Sequence, residues 1–329
     1  MTDLAFKLSF LRQYTEMDSI KLTGALINSM LILNPVQKEY ILNNFVNGNV
    51  SVTTPYPYKN CPYLPMPPIY PVFPVTMSVE EKKEYMKNRK KKIKTIQLKD
   101  LKNILKSYEN NSYKNIYIDD LKNLQEDELT NTENYLEEEI GVNILNPPLI
   151  DSKEKNLIFT QVYTKEYSSI GKIYYSEKEK KIYGDQKWFV VTIKNDDNDN
   201  LKNMVNASLK FLEDMGLSGR RNIGKGKFEI ESLALDTDFK LGFRGEGAYL
   251  LLSEYIPSLN DMQNIDFEKS SYLLGIFSGI DKNGSSLGIY RYFKSGSVLY
   301  LKNDVEGITV YEINKRVIAY RGSFLKVTW

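Results

Sequence analysis

Residues 216 to 228, Gly-Leu-Ser-Gly-Arg-Arg-Asn-Ile-Gly-Lys-Gly-Lys-Phe, hold the densest chemistry in the sequence. Four glycines (Gly216, Gly219, Gly224, Gly226) and four cations (Arg220, Arg221, Lys225, Lys227) stand there with Ser218 and Asn222, and with no acid. Glycine lets backbone N–H groups approach a ligand closely, and interleaved Arg and Lys supply the charge a phosphate chain needs. The composition is that of a phosphate cradle, with a flexible basic turn as the plainer alternative. Gly219 to Lys225 has the spacing of a Walker A loop, but Gly226 stands where its Ser or Thr belongs. A Walker A loop also runs from strand into helix; here the order is reversed, so both features argue against a nucleoside triphosphatase.

The elements that position this loop are legible on either side. Asp199 to Met215 has a helical pattern through Leu201, Met204, Val205, Ser208, Leu212 and Met215, and Gly216 sits where a C-terminal glycine cap belongs. Phe228 to Leu233 alternates as a strand does. Upstream, Leu4 to Leu11 alternates, and Ser19 to Leu33 predicts a helix capped near Asp18 or Ser19 and stopped by Pro35. A second short helix is expected over Val36 to Phe45. Further strands are expected over Leu157 to Tyr163 and Lys187 to Lys194, with a hairpin through Ser169 to Tyr183 between them.

Residues 50 to 150 read as one long insertion. Pro55 to Pro74 holds eight of the 12 prolines among several tyrosines, and predicts an extended, aromatic-studded surface segment. A basic run, Lys82 to Lys94, a helix at Leu98 to Lys106, and an acidic run, Asp119 to Glu139, follow; such runs usually mark solvated faces. Parts of the insertion are expected to contact other subunits and to be poorly ordered in the isolated chain. Without it the order is β-α-β-β-α-β, the ferredoxin-like split βαβ. After Gly247 short strands recur at Ala248–Glu254, Tyr272–Ile280, Leu287–Phe293, Ser297–Leu301 and Gly307–Glu312. The reading is an α+β chain of tandem ferredoxin-like or RRM-like domains: 1–240, with the insertion and the glycine-rich loop, and 241–329, smaller and β-rich.

The bulk numbers narrow the function. Of the 329 residues, 42% are hydrophobic and 26% charged, as in a soluble globular protein. No run of about twenty apolar residues and no signal-peptide pattern is present, so an intracellular, cytoplasmic protein away from membranes is expected. Cys61 is the single cysteine, which excludes an internal disulfide. With no histidine at all, Ser-His and Cys-His catalysis and every His-bearing metal site are removed. Net charge is +2, so a nucleic-acid surface must come from local segregation of charge. No metal or cofactor is expected.

A split βαβ fold with a glycine-rich basic loop after its second helix resembles the RAMP superfamily of CRISPR-associated proteins. Several short stretches narrow the resemblance: Thr54 to Pro68 with its alternating Pro and Tyr, Lys90 to Leu98 leading from basic residues into a helix, Asp18 to Leu26 as a first-helix motif, and Tyr292-Phe293-Lys294-Ser295-Gly296-Ser297-Val298 as a C-terminal Ser-Gly-Ser element. This collinear set is similar to the Cas5-type RAMP subunits of type III-A (Csm) effector complexes. Members often carry a histidine in the first-helix motif and another before the final aromatic segment. Both are missing here, the latter from Lys315 to Gly322.

The resemblance implies a non-catalytic subunit that holds the 5′ handle of the guide RNA. It also implies that the chain joins the large polymerase-like subunit to the backbone RAMP subunit, in a hetero- rather than homo-oligomeric assembly. Gly216, Ser218, Gly219, Arg220, Arg221, Asn222, Gly224, Lys225, Gly226 and Lys227 are the expected RNA-binding residues, with Lys294, Ser295, Gly296 and Ser297 beside them. The Pro-Tyr segment fits either base stacking or packing against the domain. A protruding thumb hairpin is expected within 50–150 or 165–185. Two alternatives stay open: a RAMP endoribonuclease that cuts precursor RNA, and the equivalent subunit of the Cmr complex.

Overall fold

The computed structural model describes residues 1–11, 14, 17–68, 77–84, 95–97, 100–101, 185–194, 199–217, 226–235, 239–280, 286–311 and 317–326, with short strands between 135 and 184. Its first half contains β1 (Thr2–Phe10), α1 (Ser19–Leu33), α2 (Lys38–Val46) and the short strands β2 (Val50–Val52), β3 (Tyr56–Pro57), β4 (Tyr63–Pro65) and β5 (Thr95–Gln97). Then come β6 (Gln186–Ile193), α3 (Asn200–Met215) and β7 (Phe228–Leu233). The sheet runs β7-β1-β6-β2, all antiparallel. Numbered within the sheet, that is 4-1-3-2, the order of a ferredoxin-like split βαβ.

Alternation along the strands sends side chains to two different cores. Phe6, Leu8 and Phe10 of β1 with Phe189 and Val191 of β6 face the helices, meeting Leu22, Leu26 and Met30 of α1 and Val205, Leu209 and Leu212 of α3. Each fully buried aliphatic side chain of this kind contributes about 1.5–3 kcal/mol. Met215, expected on the buried face of α3, is instead exposed in its last turn. The opposite phase, Ala5, Trp188 and Val190, faces a second sheet.

The second strand of the first sheet is a correction to the sequence reading. It is β2, paired Val52↔Val191 and Val50↔Ile193, not Leu157 to Tyr163. Described residues Leu157–Ile158 pair only with Leu149–Ile150. A three-residue strand is too short to show alternation, so the segment was invisible to periodicity. The hairpin is found, Ile173–Ser176 with Lys181–Gly184, leading directly into β6; it is one of the two places expected for the thumb.

The proline-aromatic segment is also corrected. It is extended, but its first half is not a surface feature: Tyr56 and Leu64 are buried between the sheets, and Tyr63 beside them is buried too. Pro57 lies opposite Lys187 on β6 and Pro65 opposite Thr95 on β5, edge positions where a missing N–H is tolerated. The Trp188 indole donates to the Tyr63 carbonyl at 2.7 Å, and the Tyr56 hydroxyl to the Leu252 carbonyl at 2.9 Å. Residues 50–68 therefore belong to the folded core, and Ile96 and Leu101 from within the expected insertion pack in the same layer. Most of the basic run and all of Asp119 to Glu133 lie outside the described residues, as do Lys102 to Lys106 of the expected helix.

The second half contains β8 (Gly247–Leu251), α4 (Leu259–Asn264), β9 (Ile265–Ser271), β10 (Leu274–Ile280), β11 (Ser286–Phe293), β12 (Val298–Leu301), β13 (Gly307–Tyr311), β14 (Val317–Arg321) and β15 (Phe324–Lys326). Its main sheet runs β9-β12-β8-β15, again 2-3-1-4 in chain order. A β13–β14 hairpin stands between its third and fourth strands. One face, with Ala248, Leu250 and Val298, packs on the first sheet. The other buries Tyr249, Tyr255, Phe293 and Phe324, with Tyr255 and Phe324 edge-on at 5.1 Å. Arg321 ties the halves together: its guanidinium donates to the Val46 carbonyl at the end of α2 and to the Gly307 carbonyl at 3.0 Å.

Candidate nucleic-acid interface

One end of the first sheet gathers the end of β1, the starts of β6 and β7, the end of α3 and the start of α1. The glycine loop opens here. Gly216 closes α3 at φ +80°, its N–H bonded to the Leu212 carbonyl at 2.7 Å. Gly226 also lies at positive φ, +73°, where a side chain would be strained. The Leu217 N–H donates to the Gly226 carbonyl at 2.8 Å, and the Leu11 N–H to the Lys227 carbonyl at 2.9 Å. Leu217 and Phe228 are buried in the core while Lys227 is exposed. The loop therefore has a pinned neck with a cation at its rim. Ser218, Gly219, Arg220, Arg221, Asn222, Gly224 and Lys225 lie outside the described residues.

At the same end of the sheet the first-helix motif is capped twice. Asp18 Oδ1 accepts from the Lys21 N–H at 2.8 Å, an ordinary N-cap. The free N–H of Ser19 donates to Glu254 Oε2 at 2.9 Å, satisfying a donor the helix cannot satisfy itself. The hydroxyls of Ser19 and Thr54 donate to the same oxygen, the latter at 2.9 Å, and the Glu254 N–H donates to Ser19 Oγ at 3.0 Å. Lys21 points outward, 3.4 Å from Asp18.

The Ser-Gly-Ser turn joins this cluster. The Leu251 N–H donates to the Ser297 carbonyl at 2.8 Å, and the Gly296 N–H to the Leu251 carbonyl at 2.7 Å. Ser297 is fully buried; its hydroxyl donates to the Lys294 carbonyl at 2.7 Å and accepts from the Leu273 N–H at 3.1 Å. Gly296 sits at φ +91° against Pro65. Of the four residues expected here, Gly296 and Ser297 shape the turn, whereas Lys294 is exposed and Ser295 half-buried.

Burial sets the electrostatics. It pushes the Glu254 carboxyl above the ordinary carboxylate range; nearby Asp18 adds to the rise, and the Ser19 and Thr54 hydrogen bonds oppose it. Burial likewise raises the Tyr56 phenol, against a hydrogen bond with Ser295, and the Tyr292 phenol, with Glu254 and Asp18 adding to the latter. Among the described residues no group of three His, Cys, Asp or Glu is placed to hold a metal, and no helix is long and apolar enough to cross a membrane.

The structure thus sets the loop neck and the start of α1 at the same end of the first sheet, and ties the start of α1 through Glu254 to the segment that holds the 294–297 turn. Sequence reasoning missed Glu254 and Thr54 as the link. The available signal was phase: Leu250, Leu252 and Glu254 share one alternation register, so an acid there continues a buried face.

No protein-family model matches the chain. It is 35% identical over 89 residues to the CRISPR system protein Csm4 of Methanocaldococcus jannaschii, a match spanning 25% of this chain and 23% of that relative. Its fold is similar to a chain of the Csm3–Csm4 subcomplex of a type III-A CRISPR-Cas interference complex, with TM-score 0.55 and 18% identity, covering 98% of this chain and 99% of that one. It is also similar to a chain of a Csm1–Csm4 cassette in complex with pppApApA, with TM-score 0.51 and 14% identity, covering 99% and 98%. The likeness is therefore one of sequence over a quarter of the chain and one of fold over almost all of it.

Proposed function

We propose that this chain is a Csm4-type subunit of a type III-A CRISPR interference complex, that it holds the 5′ handle of the guide RNA, and that it joins the large polymerase-like subunit to the backbone RAMP subunit. The observation that carries this reading is the end-to-end correspondence of fold with solved Csm4 assemblies. The composite sheet end supports the RNA part. A glycine loop with Arg220, Arg221, Lys225 and Lys227 supplies charge and backbone donors for phosphates. Lys21, Lys227 and Lys294 are exposed on elements at or hydrogen-bonded to that end. The subunit acts by holding and orienting the strand, and has no chemistry of its own.

Co-expression with the other subunits of a type III-A complex tests the reading. The tagged chain is expected to co-purify with a polymerase-like subunit and a backbone RAMP subunit, and to bind RNA bearing the repeat-derived handle more tightly than the same RNA without it. Recovery with Cmr-type subunits, or equal affinity for both RNAs, overturns it.

A further inference from the structure

Glu254 carries a carboxylate into the layer between the two sheets, 6% exposed. Burying an ionised group costs several kcal/mol unless its hydrogen bonds are met, and here one oxygen accepts three, from the Ser19 N–H, the Ser19 hydroxyl and the Thr54 hydroxyl. Ser19 and Thr54 belong to the first half of the chain and Glu254 to the second. Segment 251–254 is also the support of the 294–297 turn. That second attachment uses backbone groups, Leu251 with Gly296 and Ser297, and continues through Tyr255 with Phe293 at 3.0 and 2.7 Å. It survives a change of side chain at 254, whereas the attachment to α1 passes mainly through the carboxylate.

We infer that Glu254 is a positioning residue for RNA binding: it registers the first turn of α1, carrying Lys21, against the turn that presents Lys294 and Ser295, so that one RNA strand meets both. This rests on the RNA-binding reading above. The negative charge is well placed, since a helix N-terminus favours it. The groups facing the carboxylate are Asp18, Tyr56 and Tyr292, besides its serine and threonine donors.

Three variants of the full chain, Glu254→Ala, Glu254→Gln and Ser19→Ala, are compared for affinity to handle-bearing RNA and for amide hydrogen exchange. Glu254→Ala is expected to weaken binding about tenfold, the size of one charge-assisted hydrogen bond. Glu254→Gln keeps a carbonyl that accepts the same donors and is expected to return to within about threefold of the parent. Exchange should quicken in the first turn of α1 while α3 stays protected. Parent-like affinity with parent-like exchange at residues 19–22 in Glu254→Ala overturns the inference and leaves the RNA reading standing. Where Glu254→Ala does not fold, Ser19→Ala decides: unchanged affinity and exchange there overturn it equally. Where the parent itself ignores the handle, the RNA reading fails, and with it Glu254's role toward RNA.

Discussion

Ser19 and Glu254, 235 positions apart, hydrogen-bond each other in both directions: the Ser19 hydroxyl donates to the carboxylate, and the Glu254 N–H donates to the Ser19 oxygen at 3.0 Å. A short hydroxyl at the first position of α1 is what permits this. A longer side chain would separate the helix end from the second sheet, and an apolar one would remove one of the carboxylate's three donors and the acceptor of the Glu254 N–H. The two sheets are therefore joined by an apolar layer in the middle and polar ties at its ends, Ser19–Glu254 on one side and Arg321–Val46 on the other.

The carboxylate gives the fold a pH dependence of known sign. Burial holds the folded pKa of Glu254 above its unfolded value. Between the two values the folded chain keeps a proton that the unfolded chain has released, so stability is greatest below the unfolded pKa and falls as pH rises through the folded one. Glu254→Gln cannot titrate. Denaturant midpoints of parent and Glu254→Gln are expected to diverge as pH rises through the unfolded carboxylate range, the parent losing ground, and the gap is expected to level off only above the raised folded pKa. A gap that does not change with pH counts against a raised carboxyl.

The glycine loop makes a separate prediction, independent of Glu254. Arg220→Ala with Arg221→Ala is expected to cost about 1–3 kcal/mol of handle binding, the range for charge-assisted hydrogen bonds. The salt dependence should fall by roughly 0.7 in log–log slope for each phosphate that is no longer neutralised. Filter binding across a salt series measures both. A folded double variant with parent affinity and parent slope removes the loop from the site.

Much of the first sheet was legible because its strands and helices are long enough to show a period. β1, β6, α1 and α3 follow from the spacing of Leu8, Phe189, Leu22 and Leu209 and their neighbours, each placed in the helix-facing core. What escaped is short or non-local. β2 and β15 have three residues each, and β9 reads Ile-Asp-Phe-Glu-Lys-Ser-Ser without clean alternation. α4 is six residues long, though Ser258 and Asp261 form a complete capping box that was visible as a motif. The prolines of residues 55–68 signalled an extended segment correctly but hid its two short strands, Tyr56–Pro57 and Tyr63–Pro65, and composition cannot tell an extended segment on the surface from one pinned between sheets by Trp188. For the site, the motif positions were legible and their meeting point was not. Glu254 became a site residue only when the topology placed it beside Ser19.

Gly296 tests the coupling between that buried segment and the turn. At φ +91° an added side chain is strained, and its Cβ would stand 3.1 Å from the Pro65 Cβ and 3.5 Å from the Met66 carbonyl. Gly296→Ala is expected to destabilise the chain by about 1–3 kcal/mol, as for a non-glycine residue forced into a sparsely populated backbone region. Trp188 fluorescence is a suitable monitor, since its indole bonds the Tyr63 carbonyl two residues from Pro65. A variant with the parent's denaturant midpoint and spectrum rejects the coupling.

The last expectation is that the isolated chain cuts no RNA. Self-cleavage chemistry at a 2′-hydroxyl needs a general base near neutral pH, commonly histidine, and the sequence has none. The carboxylate best placed at the sheet end, Glu254, has three hydrogen-bond donors on one oxygen and is 6% exposed, a position for holding rather than for abstracting a proton from a bound strand. Asp18 spends Oδ1 on the helix cap. Lys21 points outward and is ion-paired with Asp18, and an ammonium group donates hydrogen bonds without accepting any. Single-turnover incubation of the purified chain with repeat RNA and with guide-complementary RNA, with and without divalent metal, is expected to leave both intact. Cleavage abolished by Asp18→Asn or Lys21→Ala would make the chain a nuclease. Residual cleavage indifferent to both substitutions, and removed by further purification, identifies a contaminant.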